Sequence, residues 1–185
     1  MLRLAPQRFG ISLALCGVAF AASGVWLDVP FIKQQKDGCG SAVIAMVMQY
    51  WQAQKSVAVD LASDPEIIQR TLFSSEAHGI YASDLKRYFD QHGYTAFQFT
   101  GAWEDLVQHL SKGRPLIAAL KPIAGEPSLH YVVVTGIDPA ESIVILNDPA
   151  QRKLLKVDRA DFEKQWKATR NWTLLALPRQ PDQQR

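Results

Sequence analysis

An α+β fold is the class this sequence predicts, and three observations predict it. Up to Lys112 the apolar residues recur mainly at helical spacing, between capping and stop signals. From Pro115 onward they gather in short runs separated by turn residues, which read as strands of an antiparallel sheet. The chain has 185 residues, 48% hydrophobic and 21% charged, which suits one well-buried domain and argues against disorder. Helices first and a sheet afterwards define the class.

The first helix runs from Gly40 to Gln52, carried by Val43, Ile44, Val47, Met48 and Trp51 with no breaker inside. Asp64-Pro65-Glu66 opens the second, which extends to Phe73, with Asp64 as N-cap and Pro65 at the first helical position. Ser83 is placed as the cap of a third helix ending at His92, which Gly93 stops in the C′ position. Tyr94–Phe99 alternates like a strand, and Trp103–Lys112 is a short helix closed by another glycine. Strands follow at Pro115–Leu120, His130–Thr135, Ile143–Leu146 and Lys153–Val157, with a Pro/Gly-rich loop from Lys121 to Ser128 after the first. A helix from Arg159 to Trp166 and a strand from Asn171 to Leu177 complete a domain assigned to residues 28–178, and the polar residues 179–185 are read as a flexible tail.

Residues 1–21 have a different character. Arg3 and Arg8 precede a stretch from Phe9 to Leu27 that carries no charge, and Ala19-Phe20-Ala21 supplies a small-x-small cleavage pattern. This is the layout of a secretory signal peptide; an uncleaved N-terminal membrane anchor is the competing reading. Either one places the remainder outside the cytoplasm, periplasmic or extracellular. The net charge of +2, with basic residues scattered singly or in pairs, excludes a nucleic-acid partner.

Cys16 and Cys39 are the only cysteines, so loss of a signal peptide leaves one thiol in an exported protein and marks it as reactive. Cys39 sits at the start of the first helix, where unpaired N–H groups and partial positive charge favour a thiolate. A cysteine nucleophile needs a base, and the base needs an orienting group. Of the four histidines, His92 and His109 fall on amphipathic helices as surface residues and His78 in a loop. His130 instead stands at the entrance of a strongly apolar strand, where a rigid sheet holds the ring. Asp148 ends the next strand and is followed by Pro149; antiparallel pairing across Asp138–Ser142 brings it back to His130. An oxyanion needs donors, met by the Cys39 main-chain N–H and by the amide of Gln34 or Gln35, between which spacing does not choose. No histidine is spaced with acidic or cysteine partners as in a zinc site, so no metal and no cofactor is expected.

Val29-Pro30-Phe31 with Gln34, then Cys39-Gly40-Ser41-Ala42 and an apolar helix, resembles the papain-like bacteriocin-processing, or double-glycine, peptidase family. The resemblance continues through Gly79-Ile80-Tyr81-Ala82-Ser83-Asp84-Leu85, Leu129-His130-Tyr131-Val132-Val133-Val134 and Asn147-Asp148-Pro149-Ala150. It implies a papain-like fold with the nucleophile on the first helix, packed against an antiparallel sheet. It also implies Cys39 as nucleophile, His130 as base and acid, Asp148 as its orienting group and Gln34 as oxyanion donor. The implied function is a cysteine peptidase acting on a peptide or protein. Another acyl transfer by the same groups, or an inactive peptide-binding relative, is the alternative. The chain departs from the family pattern in two ways. Gly38 stands where better-known members carry an acidic residue, and the transporter domains of those members are absent from this sequence.

Overall fold

The computed structural model describes residues 24–121 and 129–180; residues 1–23, which include the segment read as a signal peptide, residues 122–128 of the Pro/Gly-rich loop and the last five of the tail lie outside them. The elements are β1 (Val25–Trp26), α1 (Cys39–Gln54), a 3-10 turn (Leu61–Ser63), α2 (Pro65–Leu72), α3 (Ala82–Gln91), β2 (Tyr94–Thr100) and α4 (Trp103–Ser111). They continue with β3 (Leu116–Leu120), β4 (His130–Asp138), β5 (Ile143–Asn147), β6 (Leu155–Asp158), α5 (Arg159–Lys167) and β7 (Trp172–Pro178). The strands form one antiparallel sheet of order β2-β7-β3-β4-β5-β6, with the short β1 added on β4.

Both faces of the sheet are covered. Along β4, Tyr131 and Val133 belong to a core shared with α1, α2 and α3, whereas Val132 and Val134 join the core under α4 and α5. The same alternation sends Ile117 and Ala119 of β3 to the first core, and Leu116, Ala118 and Leu120 to the second. Two covered faces explain why these strands read as unbroken apolar runs rather than alternating ones, because neither side meets water. Helices α1, α2 and α3 thus lie on one face of the sheet, and α4 and α5 cover the opposite one.

Helix α1 is the centre of the first core. From Gly40 to Met48 every residue is buried, so the segment is apolar on all sides, as a helix enclosed by other elements must be. Gly40 is required by its closeness to the strand-like segment before α3: a Cβ there would lie 2.9 Å from the Ile80 Cβ. Asp64 caps α2 as expected, its carboxylate accepting from Glu66 N at 2.8 Å and Ile67 N at 3.2 Å.

One cap is corrected. Ser83 lies inside α3, whose N-cap is Tyr81 and which has no side-chain capping bond. Gly93 ends that helix in the left-handed region at φ +87°, as expected. Arg179, assigned to the tail, donates its main-chain N–H to Gly93 O at 2.9 Å and its Nε to Tyr94 O at 3.0 Å. Among the described residues no helix is long and apolar enough to cross a membrane.

Candidate active site

Cys39 is the first residue of α1. Gly38 occupies the N-cap and has no side chain to bond the first turn, so the helix-start N–H groups, that of Cys39 among them, have no partner within the helix. Asp37 turns the chain into the helix at φ 57°, a left-handed conformation that aspartate tolerates better than most residues. Gly38 N then bonds Gln35 O at 3.0 Å, and Ser41 Oγ donates back to Gly38 O at 3.0 Å. Cys39 is a free, half-buried thiol.

His130 opens β4 and Asp148 directly follows β5. These strands pair antiparallel across the turn at Asp138–Ser142, so the start of one meets the end of the other. Asp148 Oδ1 accepts from His130 Nε2 at 2.7 Å. Nε2 is thus occupied, and Cys39 is near enough to the ring for its hydrogen bonding and charge to act on the His130 pKa. A thiol, an imidazole and a carboxylate, on a helix start and two strand ends, are thus gathered at one place, with the last two directly bonded.

The imidazole is mostly enclosed, its side chain 19% exposed, and Asp148 more so at 6%. Burial pulls the His130 pKa down. Hydrogen bonds to Asp148 and Cys39, and negative charge on both, outweigh burial and raise the pKa to about 9. Burial pushes the Asp148 carboxyl up, but the bond and charge of His130, the Ala150 N–H and the Gln151 amide hold it below the usual carboxylate range. At neutral pH the pair is an imidazolium facing a carboxylate.

The two glutamines differ in their surroundings. Gln35 is exposed and donates its Nε2 to Glu66 Oε1 at 3.2 Å. Gln34 is half-buried, its main-chain N–H donates to Pro149 O at 2.9 Å, and its Oε1 is buried with no hydrogen-bond partner.

The other histidines stand apart. His78 is exposed in a turn at φ 48°, and His92 stacks on Tyr88 with ring centroids 4.0 Å apart. His109 is half-buried rather than fully at the surface, with Nδ1 unpartnered and its pKa lowered, first by burial and then by Arg114.

The roles of two residues of the site escaped the sequence reading. Gln151 donates Nε2 to Asp148 Oδ2 at 2.7 Å, while the Ala150 N–H bonds Oδ1 at 2.9 Å in an Asx-type turn. The Asp-Pro pair signals that turn; a glutamine three residues on is too common to signal the clamp. Asn147 is fully buried and bonds Val29 O and Leu154 N, far apart in sequence, and nothing local announces it.

A thiol-bearing helix packed on an antiparallel sheet that carries an imidazole and a carboxylate is the papain-like cysteine peptidase fold. The model of the Peptidase_C39 like family matches residues 26–174, and the chain belongs to that family. A Bacillus anthracis protein assigned as a C39-like peptidase is similar over 85% of this chain and 98% of its own, at 20% identity and a TM-score of 0.67. The peptidase domain of Streptococcus ComA, a bi-functional ABC transporter involved in a quorum sensing pathway, matches 80% of this chain and 98% of its own at 18% identity and TM-score 0.62. A double glycine motif protease from an AMS/PCAT transporter, solved with its leader peptide, matches 84% of this chain and 95% of its own at 21% identity and TM-score 0.62. At these identities the structures establish the fold. No curated protein matches the chain.

Proposed function

We propose that this protein is an exported cysteine peptidase in which Cys39 is the nucleophile, His130 the general base and acid, Asp148 the group orienting His130, and Gln34 an oxyanion donor. The observation that carries the reading is the Asp148–His130 bond of 2.7 Å, with a helix-start thiol close enough to the ring to act on its pKa.

The thiolate of Cys39 attacks the carbonyl carbon of a peptide bond. A C–S bond forms, and the carbonyl electron pair moves onto oxygen. That oxygen is held by the Cys39 N–H and the Gln34 Nε2, the end of the amide opposite its buried Oε1. The C–N bond then breaks as the His130 imidazolium protonates the leaving amine, leaving a thioester. Water attacks the thioester with its proton going to His130, the C–S bond breaks, and the acid and the thiolate are released. The oxyanion role falls to Gln34 rather than Gln35 because the Gln35 amide is engaged by Glu66 and exposed.

A peptide substrate is supported by the double glycine motif protease, whose structure holds a leader peptide. Export is supported by Arg3, Arg8 and the uncharged run from Phe9 to Leu27.

The test is incubation of the purified protein with a proteome-derived peptide library, followed by mass spectrometry for new termini. Cleavage by the parent protein that disappears in Cys39→Ala supports the reading. Absence of Cys39-dependent cleavage sinks it.

A further inference from the structure

We infer that Asn147 is a positioning residue that holds the Gln34 arm of the oxyanion site to the strand carrying Asp148. The inference rests on the reading of Gln34 as an oxyanion donor and extends it.

Gln34 lies on an irregular segment between β1 and α1. From Asp28 to Lys36 the main chain of this segment makes its hydrogen bonds to other elements with Asn147 and Pro149. Asn147 Nδ2 donates to Val29 O at 3.0 Å and to Pro30 O at 3.4 Å. Pro149 O accepts from Gln34 N at 2.9 Å. Proline at position 30 has no N–H of its own to offer, so its carbonyl is the polar group through which the arm is tied there. Asn147 is 0% exposed and its Oδ1 accepts from Leu154 N at 3.0 Å, which fixes the rotamer from the other side.

Three consecutive residues therefore divide the work. Asn147 fastens the arm, Asp148 bonds His130, and Pro149 accepts from Gln34 itself. The segment has no ladder to hold it, so its distance from Cys39 is set by these bonds and by packing of the half-buried Phe31 and Ile32 on the core. Loss of the Asn147 donors frees the arm without touching the Cys39–His130 pair. An oxyanion donor displaced by a fraction of an ångström loses its value in the transition state.

The experiment uses Asn147→Ser and Asn147→Asp in the otherwise unchanged protein, assayed below their melting transitions. The aspartate keeps an acceptor for Leu154 N and removes both donors to the arm. Two probes are compared: iodoacetamide, whose alkylation of Cys39 needs the thiolate but no oxyanion donor, and the aldehyde analogue of the fastest-cleaved library peptide, whose tetrahedral adduct needs both. The expected result is an alkylation rate within about threefold of the parent and aldehyde affinity and kcat lower by about tenfold or more. Combining Asn147→Ser with Gln34→Ala adds little to the loss from Gln34→Ala alone. Parallel loss of alkylation and aldehyde binding routes the effect through Asp148 and overturns the inference, as does unchanged aldehyde affinity in both Asn147 variants. If Gln34→Ala itself leaves aldehyde affinity unchanged, it is the Gln34 reading that fails.

Discussion

His130 Nε2 lies 2.7 Å from Asp148 Oδ1, and the same carboxylate is gripped at Oδ2 by Gln151 at 2.7 Å. Such a carboxylate cannot swing away from the ring, so it fixes both the tautomer and the orientation of the imidazole. Asp148→Asn removes the charge while keeping the shape, and we expect kcat to fall by about a hundredfold or more. Peptide cleavage rates at saturating substrate check this; a loss below about threefold would mean that Asp148 does not orient the base.

The His130 pKa of about 9 has a consequence for stability. A histidine whose folded pKa lies above its unfolded value of about 6.5 contributes stability that is fully present below pH 6.5 and lost as pH rises through about 9. The contribution is roughly 1–3 kcal/mol. Thermal melts at steps from pH 6 to pH 9.5 are expected to show falling Tm in the parent protein, about flat in His130→Ala. The depressed Asp148 adds a separate acid limb, with stability present above the unfolded carboxylate pKa and lost as pH drops through the folded one.

Gln34 and Gln35 are adjacent; the Gln35 amide bonds Glu66, whereas the Gln34 Oε1 is buried without a hydrogen-bond partner. Gln34→Ala is expected to lower kcat by about a hundredfold with little change in KM. Gln35→Ala is expected to leave kcat within about twofold, since its amide serves Glu66 at the surface. Equal losses in both would remove the assignment.

Cys39→Ala is expected to abolish turnover and to shift stability by less than about 1 kcal/mol, because the thiol is half-buried and alanine suits a helix start inside a packed turn. Circular dichroism melts together with the library assay measure both halves.

Gly40→Ala is a contrasting case beside the same sulfur. Its Cβ would stand 2.9 Å from the Ile80 Cβ, a branch point that cannot rotate aside, so α1 and the segment before α3 must separate. We expect a destabilisation of about 1–3 kcal/mol and a slower reaction at Cys39. A Tm equal to that of the parent would show that the two segments move apart freely.

Much of this was legible in the sequence because it is encoded locally. Helical periodicity placed α1, and Asp64-Pro65 and Gly93 marked helix ends through backbone requirements that neighbours hardly alter. Ser83 misled because serine is a good cap wherever it stands. At this position the helix begins earlier, and the residue lies inside α3. The hairpin from His130 to Asp148 was legible because a short turn between two apolar runs leaves antiparallel pairing as the direct solution, and pairing sets which ends meet.

By itself, then, the sequence determined the α+β class, the position of the thiol at a helix start, and the meeting of the imidazole with its carboxylate. Each follows from periodicity, a cap or a hairpin spanning few residues. Tertiary structure alone decided that α4 and α5 cover the far face of the sheet, that Gln35 bonds Glu66 while Gln34 bonds Pro149, and that Asn147 holds the arm before Cys39. The bond from Asn147 to Val29 spans 118 positions of the chain. A polar side chain announces that it needs partners, but which distant carbonyl it meets is set only when both faces of the sheet have been packed.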